Sequence, residues 1–410
     1  MSWVCLSSDI QGACQRSTLV KRGDPLVYIV ACEASGDQIG ALLIKALNVA
    51  TNGEVAFAGI GGPQMCAAGL NRLFDPKELA LLGIFEVLPK ALQVLDRVAA
   101  TLKDIESKQP DILVTIDSWG FTGRIHQRLA RKGSVIPRLR YVAPQVWAWR
   151  PGRAKQLSQW IHHLLALLPF EPDYFTRHGL PTSWVGHPVV ESGFGDGDGT
   201  LFRTRHGIPS AETVICLLPG SRRSEVSRLL PVFSETIERL SRSHPRLHVI
   251  LPTVESVADI VQEVGRSWPV DGVTVVTNDK DRRDAFAASD VALAASGTVS
   301  LELAAASVPH VIAYKVNPLS ALAFRALAKT KRVNLVNIVL DCDSVPERLQ
   351  GQCRADILTD DVNLLLTNEK ARAAQRADFA EAISRLTPTG KQPSQRAAEV
   401  ILSLIGNAAR

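Results

Sequence analysis

Short apolar runs rich in β-branched residues alternate with segments of helical periodicity along most of this chain. Such alternation predicts parallel strands joined by crossover helices, an α/β fold whose strands are covered on both faces. The strand candidates are residues 27–31, 55–59, 112–116, 140–142, 164–168, 214–218, 248–251, 273–277, 291–294 and 311–314.

These strand candidates form two sets on either side of "GFGDGDGT", residues 193–200. We expect two Rossmann-like domains that face a cleft, 25–190 and 191–360, because open α/β sheets bind ligands in crevices. Residues 361–410 are polar and helical in pattern, and we expect them to pack on the first domain or on a partner subunit. Residues 1–24 are interpreted as a flexible extension that lacks the features of a signal peptide.

The composition, 46% hydrophobic and 21% charged, is typical of a globular protein. A net charge of +5 favours phosphorylated ligands or an anionic membrane surface, and by itself it is too small to indicate nucleic acid. Seven scattered cysteines without a C-x-x-C pair predict a reduced cytosolic protein, and neither they nor the histidines have the spacing of a metal site.

A phosphate site is predicted where the strand candidate 214–218 runs into "PGSRRSEV". The positive end of the following helix and the Arg222 guanidinium both suit a phosphate group next to Ser221. An ordinary capped turn with solvated arginines fits the spacing equally well.

A second turn of this kind contains Ser296, Gly297 and Thr298, followed by Glu302 in a helix of small residues. A carboxylate at that position would accept hydrogen bonds from both ribose hydroxyls. A solvent-exposed helix glutamate is the ordinary alternative.

Asp117 directly follows the strand candidate 112–116, at the end where parallel sheets carry catalytic groups. It is a candidate general base for an attacking hydroxyl. A helix-capping aspartate fits the pattern equally well.

Three segments have the character of lipid or sugar contacts: "ELALLGIFEVLP", "PLSALAFRALAKTKR" and "YVAPQVWAWRPGR". The first two suit acyl chains or an anionic membrane, and the third suits sugar stacking or a membrane interface. Core helices and a packed turn are the alternatives. The acyl or membrane candidates are Leu82, Ile84, Phe85, Leu88, Arg325 and Lys329.

Taken together, these segments resemble the lipid-A-disaccharide synthase family, from residue 26 onward and in the family's order. The motifs that carry the resemblance are "ACEASGD", "GIGGPQM", "ALLGIFEVLP", "YVAPQVWAWRPGR", "LLPFE", "VGHPVVES", "LLPGSRRSEV", "ASGTVSLELA" and "VNLVNIVLD…VPERLQ". The resemblance implies a GT-B fold and an inverting transfer from UDP-2,3-diacylglucosamine to the 6-hydroxyl of 2,3-diacylglucosamine 1-phosphate. It also implies no cofactor or metal, no nucleic acid, and a cytoplasmic enzyme attached peripherally to the inner membrane. It leaves a homodimer open.

The resemblance also assigns roles to individual residues. Asp117 matches the family's proposed base, and Glu33, Ser35 and Asp37 are hypothesised to contact the acceptor sugar. The residues that match UDP-binding positions or lie beside them are Ser221, Arg222, Ser296, Gly297, Thr298, Glu302, Asn337 and Gln350.

This chain departs from the family pattern at two positions. Trp119 and Gly120 follow Ser118 where the family commonly has Pro-Asp, so a second acidic residue is absent, and Cys32 replaces a usual glycine. A MurG-like transferase or a UDP-sugar 2-epimerase is the rival on the same fold, although a soluble-sugar epimerase has no need for the apolar segments. A catalytically silent nucleotide-sugar or lipid-binding protein is the rival of another class.

Overall fold

The computed structural model describes residues 23–77, 89–317, 330 and 332–408. The chain divides into two compact units, one comprising Met1–Pro188 with Pro388–Arg410 and the other Val189–Thr387. Each unit is built around one parallel β-sheet.

The sheet of the first unit has seven strands in the order β3-β2-β1-β4-β5-β6-β7. Its strands are β1 Leu26–Ala31, β2 Ala56–Ile60, β3 Asn71–Arg72, β4 Ile112–Ile116, β5 Arg138–Tyr141, β6 His163–Ala166 and β7 Thr182–Trp184. Its helices are α1 Ala34–Ala50, α2 Pro63–Ala68, α3 Pro89–Lys108, α4 Trp119–Arg131, α5 Gly152–Ser158 and α6 Pro172–Thr176, with α15 Pro393–Ala408 from the end of the chain.

Strand β1 shows why the apolar runs form central strands. Val27 and Ile29 point into one core and Tyr28 and Val30 into the other, and each is fully buried. Successive side chains of a strand alternate between faces, so a continuous apolar run suits a strand that helices cover on both sides. The C-terminal α15 packs on α1 and completes the first of these cores.

The sheet of the second unit has six strands in the order β10-β9-β8-β11-β12-β13. Its strands are β8 Thr213–Leu218, β9 Leu247–Pro252, β10 Gly272–Val276, β11 Val291–Ala295, β12 His310–Tyr314 and β13 Glu347–Leu349. Its helices are α7 Gly199–Arg205, α8 Arg223–Ser243, α9 Glu255–Gly265, α10 Asp279–Ala288, α11 Val299–Ala305, α12 Leu335–Leu340, α13 Ala355–Thr367 and α14 Glu369–Leu386.

In both sheets the direction of strand succession reverses beside the first strand. In the first unit β1 pairs with both β2 and β4, and in the second β8 pairs with both β9 and β11. At such a point the two connecting loops turn to opposite faces of the sheet and leave a crevice at the carboxyl edge, where α/β proteins bind ligands. The loops after β4, β8 and β11 contain most of the predicted catalytic and UDP-binding residues.

Every strand candidate from the sequence overlaps an observed strand, whereas the short edge strands β3, β7 and β13 were not predicted. Within the expected C-terminal segment 361–410, the residues up to Thr387 belong to the second unit and those from Pro388 to the first. No helix in the described ranges is long and apolar enough to cross a bilayer. The acyl or membrane candidates Leu82, Ile84, Phe85, Leu88, Arg325 and Lys329 lie outside the described residues.

Gly59 is expected to be irreplaceable in β2. Its φ is +136°, and a Cβ added there would lie 2.0 Å from the backbone oxygen of Ile29. We expect Gly59→Ala to destabilise the first unit by about 3 kcal/mol or more, through left-handed strain plus overpacking. Urea denaturation followed by tryptophan fluorescence measures this loss. Gly53→Ala is the matched control, because its φ is +81° and its Cβ would meet nothing within 4 Å. Equal midpoints for the two variants would contradict the prediction.

Candidate active site

Asp117 lies at the carboxyl end of β4, in a backbone conformation that few residues adopt. Both Asp117 and Ser118 are left-handed, with φ of 49° and 50°. Each such non-glycine residue costs about 1–3 kcal/mol, so surrounding contacts must maintain the turn. The Thr122 hydroxyl lies 2.7 Å from the carbonyl oxygen of Asp117 and 2.9 Å from that of Ser118. The turn directs the half-exposed Asp117 carboxylate to the sheet's carboxyl edge.

Arg140, on neighbouring β5, supplies a fixed positive charge beside this carboxylate. Its side chain is 1% exposed, and its Nη2 lies 3.6 Å from Asp117 Oδ1. Its Nε donates to the Val142 carbonyl at 3.0 Å and its Nη1 to the Thr122 hydroxyl at 2.9 Å. Burial lowers the pKa of Arg140 to about 10, while Asp117 acts in the opposite direction. The guanidinium therefore remains protonated at neutral pH and places a positive charge beside the Asp117 carboxylate.

The loop after β1 brings Cys32 to the same place, because β1 and β4 are paired up to Ala31 and Ile116. The Cys32 thiol is hydrogen-bonded with the Ser118 side chain. Burial, helped by the charges of Glu33 and Asp117, raises the pKa of this thiol to about 12. The cysteine that departs from the family pattern is thus a protonated, neutral neighbour of Asp117.

Asp37 has a structural task that the sequence did not reveal. Its carboxylate is buried and accepts hydrogen bonds from the backbone nitrogens of Gln64, at 3.0 Å, and Met65, at 2.9 Å, at the start of α2. A Cβ on Gly62 would lie 2.4 Å from Asp37 Oδ2. These contacts favour a role in joining the loops after β1 and β2, whereas Glu33 and Ser35 are exposed.

In the second unit, the loop predicted to bind phosphate lies between β8 and α8. Gly220 turns the chain with φ of +117°, and α8 begins at Arg223 after exposed Ser221 and Arg222. The Arg222 side chain is 63% exposed, and its Nη1 donates to Glu225 Oε1 at 3.0 Å. Orphan N–H groups at a helix start and a nearby guanidinium are groups that phosphate ligands favour.

The loop after β11 lies next to the loop after β8, because these two strands are paired in the sheet. Gly297 has φ of +156° and would meet nothing within 4 Å if it carried a Cβ, so a ligand can approach its backbone closely. The Ser296 hydroxyl contacts the Val333 carbonyl at 3.4 Å, and Thr298 is exposed.

Glu302 is not the solvated helix glutamate of the ordinary alternative. It is buried and forms an ion pair with Arg282 of α10. The Arg282 guanidinium carbon lies 5.3 Å from the centre of the Phe194 ring and 5.6 Å from that of Phe286. The pair fixes the carboxylate at the carboxyl side of the sheet, and a carboxylate retains acceptor capacity beyond one arginine contact.

Asn337 and Gln350, the other predicted nucleotide contacts, are engaged with the protein. Asn337 is buried, donates to Val345 O and Glu347 Oε1, both at 2.8 Å, and accepts from Val345 N at 2.9 Å. The Gln350 amide, in the orientation that satisfies both of its groups, pairs with the backbone of Val316. These contacts favour a role in shaping the loops over direct contact with a ligand.

The family is identified by comparison with known proteins. A family model described as lipid-A-disaccharide synthetase matches residues 27–401. The chain belongs to this family. A lipid-A-disaccharide synthase of Rhodospirillum centenum is 50% identical over 380 residues, 93% of this chain and 94% of the relative. One of Paramagnetospirillum magneticum is 49% identical over 382 residues, 93% of this chain and 97% of the relative.

Solved structures show the fold class. Staphylococcus aureus MnaA in a UDP co-structure aligns with a TM-score of 0.64 at 12% identity, over 93% of this chain and 98% of that one. Acinetobacter baumannii MurG aligns with a TM-score of 0.54 at 14% identity, over 92% and 99%. The GT-B class with two Rossmann-like units is confirmed.

Membership of the lipid-A-disaccharide synthetase family confirms the expected enzyme class. The chain is a glycosyltransferase of lipid A biosynthesis that acts on nucleotide-sugar and lipid-linked substrates. A MurG-like transfer or an epimerisation is not favoured, because this chain resembles MurG in fold at low sequence identity. A silent binding function is not favoured either, because the similar curated relatives are synthases. Within the described ranges, no three His, Cys, Asp or Glu side chains are grouped as a metal site requires.

Several residues that shape this synthetase site were not predicted: Arg140, Thr122, Arg282 and Glu347. Arg140 left a detectable signal, since an arginine within a predicted strand must find partners when buried. Arg282 and Glu347 left none, because many charged residues in the sequence have similar spacings and only the fold pairs these two with Glu302 and Asn337.

Glu171 generates a prediction about pH. It is 3% exposed and accepts from the Leu167 and Leu168 nitrogens and from Trp147 Nε1. Burial raises its pKa to about 7, although these donors lower it in part. A group whose pKa rises on folding stabilises the fold below its unfolded pKa and loses that contribution as pH rises through the folded value.

The first unit of this synthetase is therefore expected to lose stability as pH rises from 4.5 to about 7. Glu171→Gln is expected to flatten that dependence. It should also lower the stability by the same amount at every pH, because the amide NH₂ group would face the Trp147 Nε1 donor. Thermal unfolding at several pH values, followed by tryptophan fluorescence, measures both. Parallel curves for wild type and variant would refute the role of Glu171. Glu106→Gln is the control, because the Glu106 side chain is 47% exposed.

Proposed function

We propose that this chain transfers 2,3-diacylglucosamine from UDP to the 6-hydroxyl of 2,3-diacylglucosamine 1-phosphate, with inversion, at the cytosolic face of the inner membrane. The observation that carries the proposal is Asp117, held in a strained turn beside buried Arg140 at the crevice of the first sheet, in a chain of this family. The proposed reaction is compatible with either a homodimer or a monomer.

In the proposed reaction Asp117 takes the proton of the acceptor 6-hydroxyl as its oxygen attacks C1 of the donor sugar. The bond between C1 and the diphosphate oxygen breaks on the opposite face, and UDP leaves with the electron pair. Arg140 pairs with the Asp117 carboxylate, and its hydrogen bonds to Thr122 and Val142 hold the guanidinium in place. A positioned base of this kind contributes about 10²–10⁴-fold to the rate.

The nucleotide is proposed to bind the second unit. The start of α8 with Ser221 and Arg222 suits the diphosphate, and open Gly297, between Ser296 and Thr298, allows close approach. Fixed Glu302 suits the ribose hydroxyls. We propose that these dipoles and the arginine stabilise the departing diphosphate without a metal ion or other cofactor. A structure of similar fold that contains UDP supports the ligand class.

The acceptor is proposed to bind the first unit, with exposed Glu33 and Ser35 near its sugar and Asp37 holding the loop. The acyl chains and the membrane are assigned from sequence alone to the segments containing Leu82, Ile84, Phe85, Leu88, Arg325 and Lys329.

Asp117→Ala is expected to lower kcat by about 10²–10⁴-fold, because the base is lost, and to leave UDP affinity unchanged. UDP release with both acylated substrates measures turnover, and calorimetry measures UDP binding. Asp173→Ala, at an exposed aspartate of the same unit, is the control with full activity. Near wild-type turnover in Asp117→Ala would remove this residue as the base.

Arg222→Ala is expected to weaken UDP binding about 10-fold or more, since a charge-assisted bond to phosphate is lost. Arg239→Ala is the matched control, because Arg239 lies on the same helix and pairs with Glu235. If both variants bind UDP like the wild type, the diphosphate does not lie at this loop.

A further inference from the structure

A cluster of arginines and tryptophans lies beside the proposed base. The Arg153 guanidinium carbon is 4.7 Å from the centre of the Trp119 ring and 5.1 Å from that of Trp149. The Arg150 guanidinium carbon is 4.4 Å from the Trp149 ring. These four side chains form the Arg–Trp cluster. Trp119 begins α4, two residues after Asp117.

Among the residues that the structure describes, carboxylates do not match the positive charges of the cluster one for one. Arg140 lies 5.6 Å from the Trp119 ring and adds a third guanidinium. In the described part of the chain, its contact with Asp117 is the one ion pair that involves these three arginines. Burial and the charge of Arg150 lower the pKa of Arg153. Like charges held so close disfavour one another, and an anion bound between them removes that cost.

The loop that presents Arg150 and Arg153 is held in a costly shape. Val142 and Arg150 are left-handed, with φ of 76° and 49°. A left-handed β-branched residue is rare, and such strain persists where surrounding contacts impose it, often at ligand sites. Trp147 is one anchor, because its Nε1 donates to buried Glu171 at 3.2 Å. The two guanidiniums are therefore placed before any ligand arrives.

We propose that the Arg–Trp cluster is the subsite for the phosphate on C1 of the acceptor sugar. This inference rests on the proposed function. The acceptor carries its phosphate on C1 and its reacting hydroxyl on C6, and C1 and C5, which bears C6, both adjoin the oxygen of one pyranose ring. Asp117 and Arg153 are linked through Arg140 and the Trp119 ring by contacts that are each shorter than 6 Å. A phosphate site close to the base therefore suits this acceptor.

The chemistry of the cluster matches a phosphomonoester. Such a group carries a charge of about −1.5 to −2 at neutral pH and offers three acceptor oxygens. Guanidinium groups bind phosphate bidentately, and indole faces pack against sugars. Anionic membrane lipid would use the same groups. Arg153, however, is only partly exposed and stacks on the tryptophan that follows the catalytic turn, which favours the substrate.

The experiment compares two acceptors, 2,3-diacylglucosamine 1-phosphate and the same lipid without phosphate, in detergent micelles with the full chain. Wild type should prefer the phosphorylated acceptor in kcat/KM. Arg153→Ala should lower kcat/KM for that acceptor about 10- to 100-fold, and that for the other by no more than about twofold. Arg150→Ala, at an exposed residue, should act in the same direction. Arg153→Lys should recover part of the preference, because it keeps the charge without the fork.

Arg177→Ala is the matched control, since Arg177 stacks on Tyr174 at 4.8 Å in the same unit. It should leave kcat/KM unchanged for both acceptors. An undiminished preference for phosphate in Arg150→Ala and Arg153→Ala would overturn the subsite. Equal use of both acceptors by wild type would overturn it too, while the proposed function would stand. A wild type inactive on both acceptors would overturn both proposals. Lost binding to phosphatidylglycerol vesicles with unchanged acceptor preference would assign the cluster to the membrane instead.

Discussion

The reversal of strand order beside the first strand of each sheet is the constraint on which the rest of this molecule depends. Parallel strands bring all their carboxyl ends to one edge, and the reversal separates the loops on either side of it. In the first unit these loops hold Cys32 and Asp117, and in the second they hold Arg222 and Gly297. The polar side chains of the predicted site thus lie at the ends of continuous apolar strands. The packing of those strands determines where the side chains are placed.

Arg140 is the interaction that turns this edge into a site. A buried guanidinium is costly unless its donors are satisfied, and here its partners are the Val142 carbonyl, the Thr122 hydroxyl and the Asp117 carboxylate. Those partners belong to the turn after β4 and the loop after β5. The need to satisfy one charge therefore ties together the strained turn and the loop that carries the tryptophans.

The sequence was sufficient for the strands and for the loops that follow them, because a buried parallel strand has a continuous apolar signature. It was sufficient for Asp117, Arg222 and Gly297 as members of the two crevices, since position at a strand end is local information. It could not separate ligand contacts from structural ones. Asp37 and Asn337 match site motifs, yet their side chains hydrogen-bond to neighbouring loops of the protein, Asp37 to the start of α2 and Asn337 to Val345 and Glu347. The sequence also did not reveal the Arg–Trp cluster. Only the packing of the described residues shows which arginines pair with an acidic side chain and which stack on tryptophan instead.

The order in which the chain passes through the two units determines which unit a C-terminal truncation would affect. The second unit is entered after Pro188 and left at Thr387, so the chain begins and finishes in the first unit. Helix α15 contributes Ala397, Ala398 and Ile401 to the core behind β1. A premature stop or a protease cut just before this helix would leave the second unit complete and would expose the interior of the first. The first unit therefore gains its full core only after the whole second unit, which precedes this helix in the sequence, has been synthesised.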